Sequence, residues 1–238
     1  MIEITPSVTR NNSQKALDEN NTTHTTVVAY CAASENILET YKTQALKLGE
    51  LLAQNSIRLR YGAGNTGLMF RVAQSCMEHG GHVVGIVPQF MVDRNWTIEK
   101  NFVSELIITE TMHERKQLLI SGVVACIALP GGVGTLEELL EAITWKQLGL
   151  FDGSIIVLNT MNYFDHLIQL LGRAEQDGFV SKAYELFRVA STPEEVIEMI
   201  HEAVKLEEER KQCRIRLEKE KDPGVETCAE KCLKKELI

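Results

Sequence analysis

Short, β-branched and almost wholly apolar runs recur along the chain, and each is followed by a longer amphipathic stretch. Val27 to Cys31 precedes Glu35 to Gln54, Ile57 to Tyr61 precedes Thr66 to His79, and His82 to Val87 precedes an irregular stretch to Asn101. Glu105 to Thr109 then precedes Met112 to Ser121, Val123 to Leu129 precedes Thr135 to Leu148, and Ser154 to Asn159 precedes Tyr163 to Gln176. Leu186 to Ala190 precedes a last helical pattern that begins at Pro193. Strands and helices in strict turn predict parallel pairing, because each helix carries the chain back to start the next strand. The runs VVACIAL and SIIVL are nearly continuous in apolar residues, as strands covered on both faces require. The expected fold is therefore α/β, a Rossmann-like three-layer domain with a central parallel sheet flanked by helices. In such sheets ligands bind beyond the carboxyl ends of the strands, which directs attention to the loops after Tyr61, Val87 and Leu129.

The alternation occupies only part of the chain. Residues 1–25 are polar and without periodicity, which predicts a disordered or loosely ordered lead-in. The catalytic or binding domain is expected over 26–204. From Lys205 to Asp222, 13 of 18 residues are charged, so 205–238 is expected to be a solvated helix or tail. The whole chain carries 25 Lys plus Arg against 33 Asp plus Glu, a formal charge of −8, which argues against nucleic acid and against an anionic membrane surface as partners. No apolar stretch approaches the about 20 residues that cross a bilayer, and the first residues lack the apolar core of a secretory signal. A cytoplasmic protein is the expectation. Six cysteines at 31, 76, 126, 213, 228 and 232 show no short paired spacing, so they are expected to be reduced and structural. His79 and His82 bracket two glycines at a helix-to-strand turn and are expected to face solvent; no metal site is expected.

Three loops carry chemistry. The first is Leu129-Pro130-Gly131-Gly132-Val133-Gly134-Thr135-Leu136-Glu137-Glu138, between an apolar strand and a helical pattern. Glycines 131, 132 and 134 let the backbone turn sharply and aim several N–H groups at one point, and that point lies at a helix N-terminus, where anions are favoured. The Lys of a triphosphate-hydrolysing P-loop is missing, so a monophosphate fits better. Glu138 has two readings. It closes a Thr135-x-x-Glu138 capping box with Thr135 as N-cap, or it is a carboxylate held beside the phosphate cradle to direct water or stabilise a cationic transition state. Glu137 and Glu141 are expected to be solvated or structural. The second loop, Tyr61-Gly62-Ala63-Gly64-Asn65-Thr66-Gly67, matches G-x-G-x-x-G, but Ile86-Val87-Pro88 stands where a dinucleotide site would want an acid, so a nucleotide-facing loop is expected rather than an NAD site. The third is Met112-His113-Glu114-Arg115-Lys116, either a solvated helix face or, after a strand's carboxyl end, a source of cations for phosphate.

From about Val27 to Ile200 the chain resembles the Lonely Guy family of cytokinin riboside 5′-monophosphate phosphoribohydrolases, also labelled possible lysine decarboxylases. The residues that carry the resemblance are PGGVGTLEE (130–138) against the family's PGGxGTxxE, MHERK (112–116), YGAGNTGLM (61–69), TWKQLG (144–149) and the Cys31 to Ser34 strand end. The resemblance implies hydrolysis of the N-glycosidic bond of a nucleoside 5′-monophosphate, AMP or an N6-modified AMP, to free base and ribose 5-phosphate. It places the family's essential Arg on Arg115 and its essential Glu on Glu138, and the phosphate-holding backbone on Gly131, Gly132, Gly134 and Thr135. Ser34, Gly64, Asn65, Met112 and Lys116 are then expected to contact the nucleotide. Neither metal nor cofactor is implied, and a homodimer is.

The decarboxylase label is at odds with the residues, since that chemistry needs pyridoxal phosphate on a Schiff-base Lys and no Lys stands at an obvious strand-end cofactor site. The chain also departs from the family pattern: Ala63 and Phe70 stand where Gly is usual, Ala32-Ala33 where Gly-Ser is, and Gln89 where Lys is frequent. Phe70 is expected either to reshape the base pocket or to pack into the core. The competing reading is a non-catalytic nucleotide- or cofactor-binding protein on the same fold.

Overall fold

A computed structural model describes residues 24–219, so the lead-in before residue 24 and the chain after 219, with Cys228 and Cys232, lie outside the described residues. Strands β1 (Thr26–Tyr30), β2 (Arg58–Tyr61), β3 (Val83–Pro88), β4 (Glu105–Thr109), β5 (Ala125–Ala128), β6 (Ser154–Leu158) and β7 (Arg188–Ala190) form one sheet. Every pairing is parallel, and the order is β4-β3-β2-β1-β5-β6-β7. Helices α1 (Glu39–Gln54), α2 (Gly67–Glu78), α3 (Gln89–Asp93), α4 (Met112–Ile120), α5 (Val133–Gln147), α6 (Asp165–Gln176), α7 (Ala183–Leu186) and α8 (Pro193–Lys219) connect the strands and close the chain. Two of these are additions to the sequence reading: α3 occupies part of the stretch expected to be irregular, and α7 ends on Leu186, the residue expected to begin β7.

The two faces of the sheet follow from the period-2 alternation of its strands. Val27, Ala29, Leu59, Tyr61, Ala125 and Ile127 point to one side and pack against Leu48, Leu52, Leu68, Val72, Val196 and Ile200 of α1, α2 and α8. Val28, Tyr30, Ile86, Cys126, Ile155 and Val157 point to the other and pack against Leu118, Leu119, Leu139 and Ile143 of α4 and α5, with Phe164. This is the three-layer arrangement. Helices α1 and α2 approach at Gly49, where any side chain would lie 2.3 Å from the Val72 carbonyl. Phe70 of α2 is half-buried, packs on the first of these clusters and stacks on Phe102 with centroids 5.1 Å apart, so the core-packing reading describes it. Helix α8 runs without a break across residue 204 for 27 residues.

Sequence alone gives the strands but not their order, and the order sets the site. The chain crosses from one side of the sheet to the other between β1 and β5, so the loops leaving these neighbouring strands diverge and open a crevice. The loop after β5 is among those the sequence singles out. The loop after β1, which holds Ser34, is marked in the sequence only by the family resemblance, and the strand order places it opposite the β5 loop.

Candidate active site

Three loops are joined at the crevice. The loop after β1 accepts two hydrogen bonds from the β2 side, where Met69 N–H donates to the Ala32 carbonyl (3.2 Å) and the Thr66 hydroxyl to the Ala33 carbonyl (2.7 Å). Towards the β5 loop it donates instead, from Ala32 N–H to the Pro130 carbonyl at 3.2 Å. Glu35 accepts from Gly67 N–H at 2.7 Å and from Arg71 at 3.1 Å, which holds its carboxyl below the usual range. Gly67 has φ +67°, and a Cβ there would sit 2.5 Å from the Ala32 carbonyl oxygen, so only glycine fits. Ala63 occupies the same left-handed region at φ 56° with its methyl buried, a strain of about 1–2 kcal/mol that glycine would not bear.

The glycines after β5 differ among themselves. A Cβ at 131 would lie 2.1 Å from Thr135 Oγ1 and 2.9 Å from Ala32 N, so Gly131 is fixed by close packing. A Cβ at 132 or 134 would meet nothing within 4 Å among the described residues, so these two glycines face open space at the start of α5. The exposed Tyr163 donates from its hydroxyl to the Gly131 carbonyl at 2.6 Å and anchors the loop from the β6 side. The result is a bare backbone cradle at a helix N-terminus, suited to an anion.

The capping-box reading of Thr135 and Glu138 does not hold. Helix α5 begins at Val133 with Gly132 as N-cap and no side-chain cap, and Thr135 is buried against Gly131. The glycine backbone starts the helix two residues early, which leaves Glu138 free for another partner. That partner is Arg115: Nη1 lies 3.2 Å from Glu138 Oε1, and the side chains are only 8% and 14% exposed. Arg115 also donates from Nε to the Ile86 carbonyl (3.1 Å) and from Nη2 to the Gly62 carbonyl (3.4 Å), and Nη1 touches Met112 Sδ at 3.5 Å. The passage of the guanidinium explains Gly62, where a Cβ would lie 2.0 Å from Nη2. Burial raises the pKa of Glu138, the Arg115 charge opposes this, and Glu137 adds to the rise.

The other residues of MHERK separate by role. Thr111 is the N-cap of α4 and accepts from Glu114 N–H (3.1 Å), while the Glu114 carboxylate accepts from Glu110 N–H (3.0 Å), so Glu114 caps the helix. Lys116 Nζ pairs with Glu137 (2.6 Å) and Glu141 (2.9 Å), the two acids expected to be structural. Burial works against the Lys116 charge, but its hydrogen bonds to both carboxylates outweigh it and raise its pKa. Asn65 borders a cavity of about 390 Å³ with Thr97, Ile98, Glu99 and Phe102, and Thr97 and Ile98 both donate to the Ala63 carbonyl at 2.9 Å. Gly64 is buried, Ser34 and Met112 are exposed. A cavity of about 930 Å³ lies at the amino-terminal ends of β5 and β6, beside Lys146 and Phe151, away from these loops. TWKQLG is the end of α5, where Lys146 donates to the Gly153 carbonyl at 2.8 Å and Gly149 takes φ +70°. His79 is exposed, whereas His82 is half-buried and 3.4 Å from Glu105. Among the described residues no group of three or more His, Cys, Asp or Glu could hold a metal ion, and no helix is long and apolar enough to cross a membrane. Glu35, Gly62 and Tyr163 are the site residues that sequence reasoning missed; only Gly62 had a signal, its place in the second glycine loop.

The model of a family described as possible lysine decarboxylase matches residues 69–200. The cytokinin riboside 5′-monophosphate phosphoribohydrolase LOG3 of Arabidopsis thaliana is 38% identical over 177 residues, 74% of this chain and 81% of that protein. The probable enzyme of the same name LOGL2 of Oryza sativa subsp. japonica is 38% identical over 177 residues, 74% of this chain and 72% of the relative. Among solved structures, the molybdenum cofactor binding protein of Rippkaea orientalis superposes with a TM-score of 0.59 at 22% identity, over 76% of this chain and 99% of that one. The Moco carrier protein of Chlamydomonas reinhardtii gives 0.59 at 18% identity, over 76% and 98%. These two show the fold alone. The family match and the identities to the plant enzymes together show that the chain belongs to the family of the cytokinin riboside 5′-monophosphate phosphoribohydrolases, whose family model carries the description possible lysine decarboxylase.

Proposed function

We propose that the protein is a nucleoside 5′-monophosphate phosphoribohydrolase that cleaves the N-glycosidic bond of AMP or an N6-modified, cytokinin-type AMP to the free base and ribose 5-phosphate. The observation that carries this reading is the buried Arg115–Glu138 pair beside an open glycine cradle at the start of the same helix that bears Glu138. Binding a phosphate requires the cradle but not a carboxylate, and a buried carboxylate next to an anion site is costly unless the reaction uses it.

The 5′-phosphate is assigned to the backbone of Gly131, Gly132, Gly134 and Thr135, and the nucleoside to the side bordered by Ser34, Gly64, Asn65 and Met112. As the bond from C1′ to the base breaks, positive charge grows on the ribose, as in glycoside hydrolysis. The Glu138 carboxylate offsets that charge and accepts a proton from water as the water oxygen bonds to C1′. The base leaves with the bonding pair and takes up one proton, while the one held by Glu138 returns to solvent or to the departing base, so the sum is one water consumed and Glu138 is regenerated. Arg115 keeps Glu138 oriented and favours its ionised form.

A cytoplasmic homodimer belongs to the same reading. The buried free thiols Cys31, Cys76 and Cys126 suit a reducing compartment. The outer edge of β4 with exposed Ile108, and exposed Met112, Val133 and Leu140 on α4 and α5, supports a second copy as partner. The rival of a cofactor carrier has only fold-level likeness behind it.

The test is a substrate series of AMP, N6-isopentenyl-AMP and unphosphorylated adenosine, with base and sugar products separated by chromatography. Release of base from the two nucleotides and at least about 100-fold less from adenosine is expected, as loss of a charge-assisted phosphate contact implies. Equal release from adenosine would remove the cradle from the reaction, and nucleotide binding without release would favour the carrier.

A further inference from the structure

Helix α5 presents three carboxylates, Glu137, Glu138 and Glu141, to the face of α4 that carries two adjacent cations, Arg115 and Lys116. Glu137 and Glu141 are four residues apart and share a face of α5, whereas Glu138 is turned about 100° away by the 3.6-residue period. Arg115 and Lys116 are offset on α4 by the same angle. The pairs formed are specific: Lys116 holds Glu137 at 2.6 Å and Glu141 at 2.9 Å, while Arg115 holds Glu138 at 3.2 Å. The Lys116 side chain is 14% exposed, so its ammonium is committed to this position rather than waving in solvent.

We propose that Lys116 is a positioning residue for the Arg115–Glu138 pair: by holding Glu137 and Glu141 it fixes the register of α5 on α4 and leaves the guanidinium to Glu138. The proposal rests on the phosphoribohydrolase reading, and it moves Lys116 from a contact of the nucleotide to a support behind the catalytic pair. A helix displaced by one residue would bring Glu137 to Arg115 and carry the glycine cradle with it, since both lie on the first turns of α5. Two carboxylates on one ammonium resist that shift in both directions along the helix.

Charge points the same way. The titratable groups that face Glu138 are Arg115 and Lys116 on α4, Glu137 on its own helix, and Tyr30, Cys31 and Cys126 from the sheet. Of these, Glu137 pushes Glu138 toward its protonated form, and Lys116, held on Glu137 at 2.6 Å, opposes that push. Without Lys116, Glu138 would titrate higher and the pair would lose its ionised carboxylate at a higher pH.

The experiment uses Lys116→Met, Lys116→Arg and Lys116→Met/Glu137→Gln in the full chain. AMP turnover is followed across pH, and Glu138 is titrated by carbon NMR of labelled glutamate, with Glu138→Gln identifying its signal. Lys116→Met should lower kcat about tenfold, leave KM within about twofold, and shift the acid limb and the Glu138 signal to higher pH. Lys116→Arg should recover most of the rate, and the double variant should return the Glu138 titration toward that of the wild type. A raised KM with unchanged kcat would overturn the proposal in favour of a phosphate contact, and unchanged kcat, KM and titration would make Lys116 a spectator. If the wild type released no adenine the enzymatic reading would fail, while the NMR titration would still decide the role of Lys116.

Discussion

Arg115 Nη1 lies 3.2 Å from Glu138 Oε1, and the two residues come from different helices that leave different strands, β4 and β5. Their meeting depends on the parallel sheet, which brings the carboxyl ends of all its strands to one edge. It also depends on Gly62, which gives the guanidinium room, and on Ile86, whose carbonyl receives it.

The pH dependence of the reaction follows from Glu138. Burial raises its pKa above the ordinary 4.5, and Arg115 only partly offsets this. In the proposed reaction the carboxylate acts ionised, so activity should be present above that raised value and be lost as pH falls through it. A kcat–pH profile should therefore show its acid limb above pH 4.5, and an acid limb below 4.5 would separate the rate from Glu138.

Gly131→Ala and Gly134→Ala should behave in opposite ways. The first places a methyl against Thr135 and the Ala32 backbone and should cost about 1–3 kcal/mol of stability. The second meets open space within a helix and should leave stability unchanged or raise it by up to about 1 kcal/mol. It should nevertheless raise KM for AMP about tenfold, because the methyl enters the cradle. Thermal unfolding and steady-state kinetics on both variants check this; a destabilised Gly134→Ala with normal KM would contradict it.

Gly62→Ala should act through Arg115. The added Cβ meets Nη2, so the guanidinium must leave the Gly62 carbonyl and draw away from Glu138. Turnover should fall by roughly 100-fold, the scale of losing one transition-state stabiliser, while nucleotide binding at the cradle changes less. Wild-type turnover in this variant would show that the Arg115 position is not critical.

Tyr163→Phe removes the hydroxyl that holds the Gly131 carbonyl at 2.6 Å. A loss of about 1 kcal/mol in stability and a higher KM for AMP are expected, since the loop loses its anchor on the β6 side. An unchanged KM would limit Tyr163 to packing against Tyr41 and Phe164.

Much of this was legible in the residues. The apolar runs located every strand to within two residues, and the three glycines marked the loop that opens at the start of α5, although Gly131 is required by packing and only Gly132 and Gly134 face open space. The capping box was misleading because a T-x-x-E spacing fits either a helix start or a carboxylate aimed elsewhere, and the choice depends on where the glycine backbone starts the helix. A real capping arrangement, Thr111 with Glu114, was hidden inside MHERK by the charges around it. Tyr163 and Glu35 carried no local signal, since their partners, Gly131 and Gly67, are 32 residues away in sequence. The β1 loop was marked only by the family resemblance at Cys31 to Ser34, since its place opposite the β5 loop depends on the strand order, which no periodicity encodes.

The most direct measurement is AMP hydrolysis by the wild type and by Glu138→Gln, with AMP binding followed in parallel by calorimetry. The variant should bind AMP within a few-fold of wild type, on the order of a single neutralised contact, and release adenine at least about 100-fold more slowly. Equal rates in the two proteins would contradict the assignment of Glu138 and, with it, the account of the Arg115–Glu138 pair as the centre of the reaction.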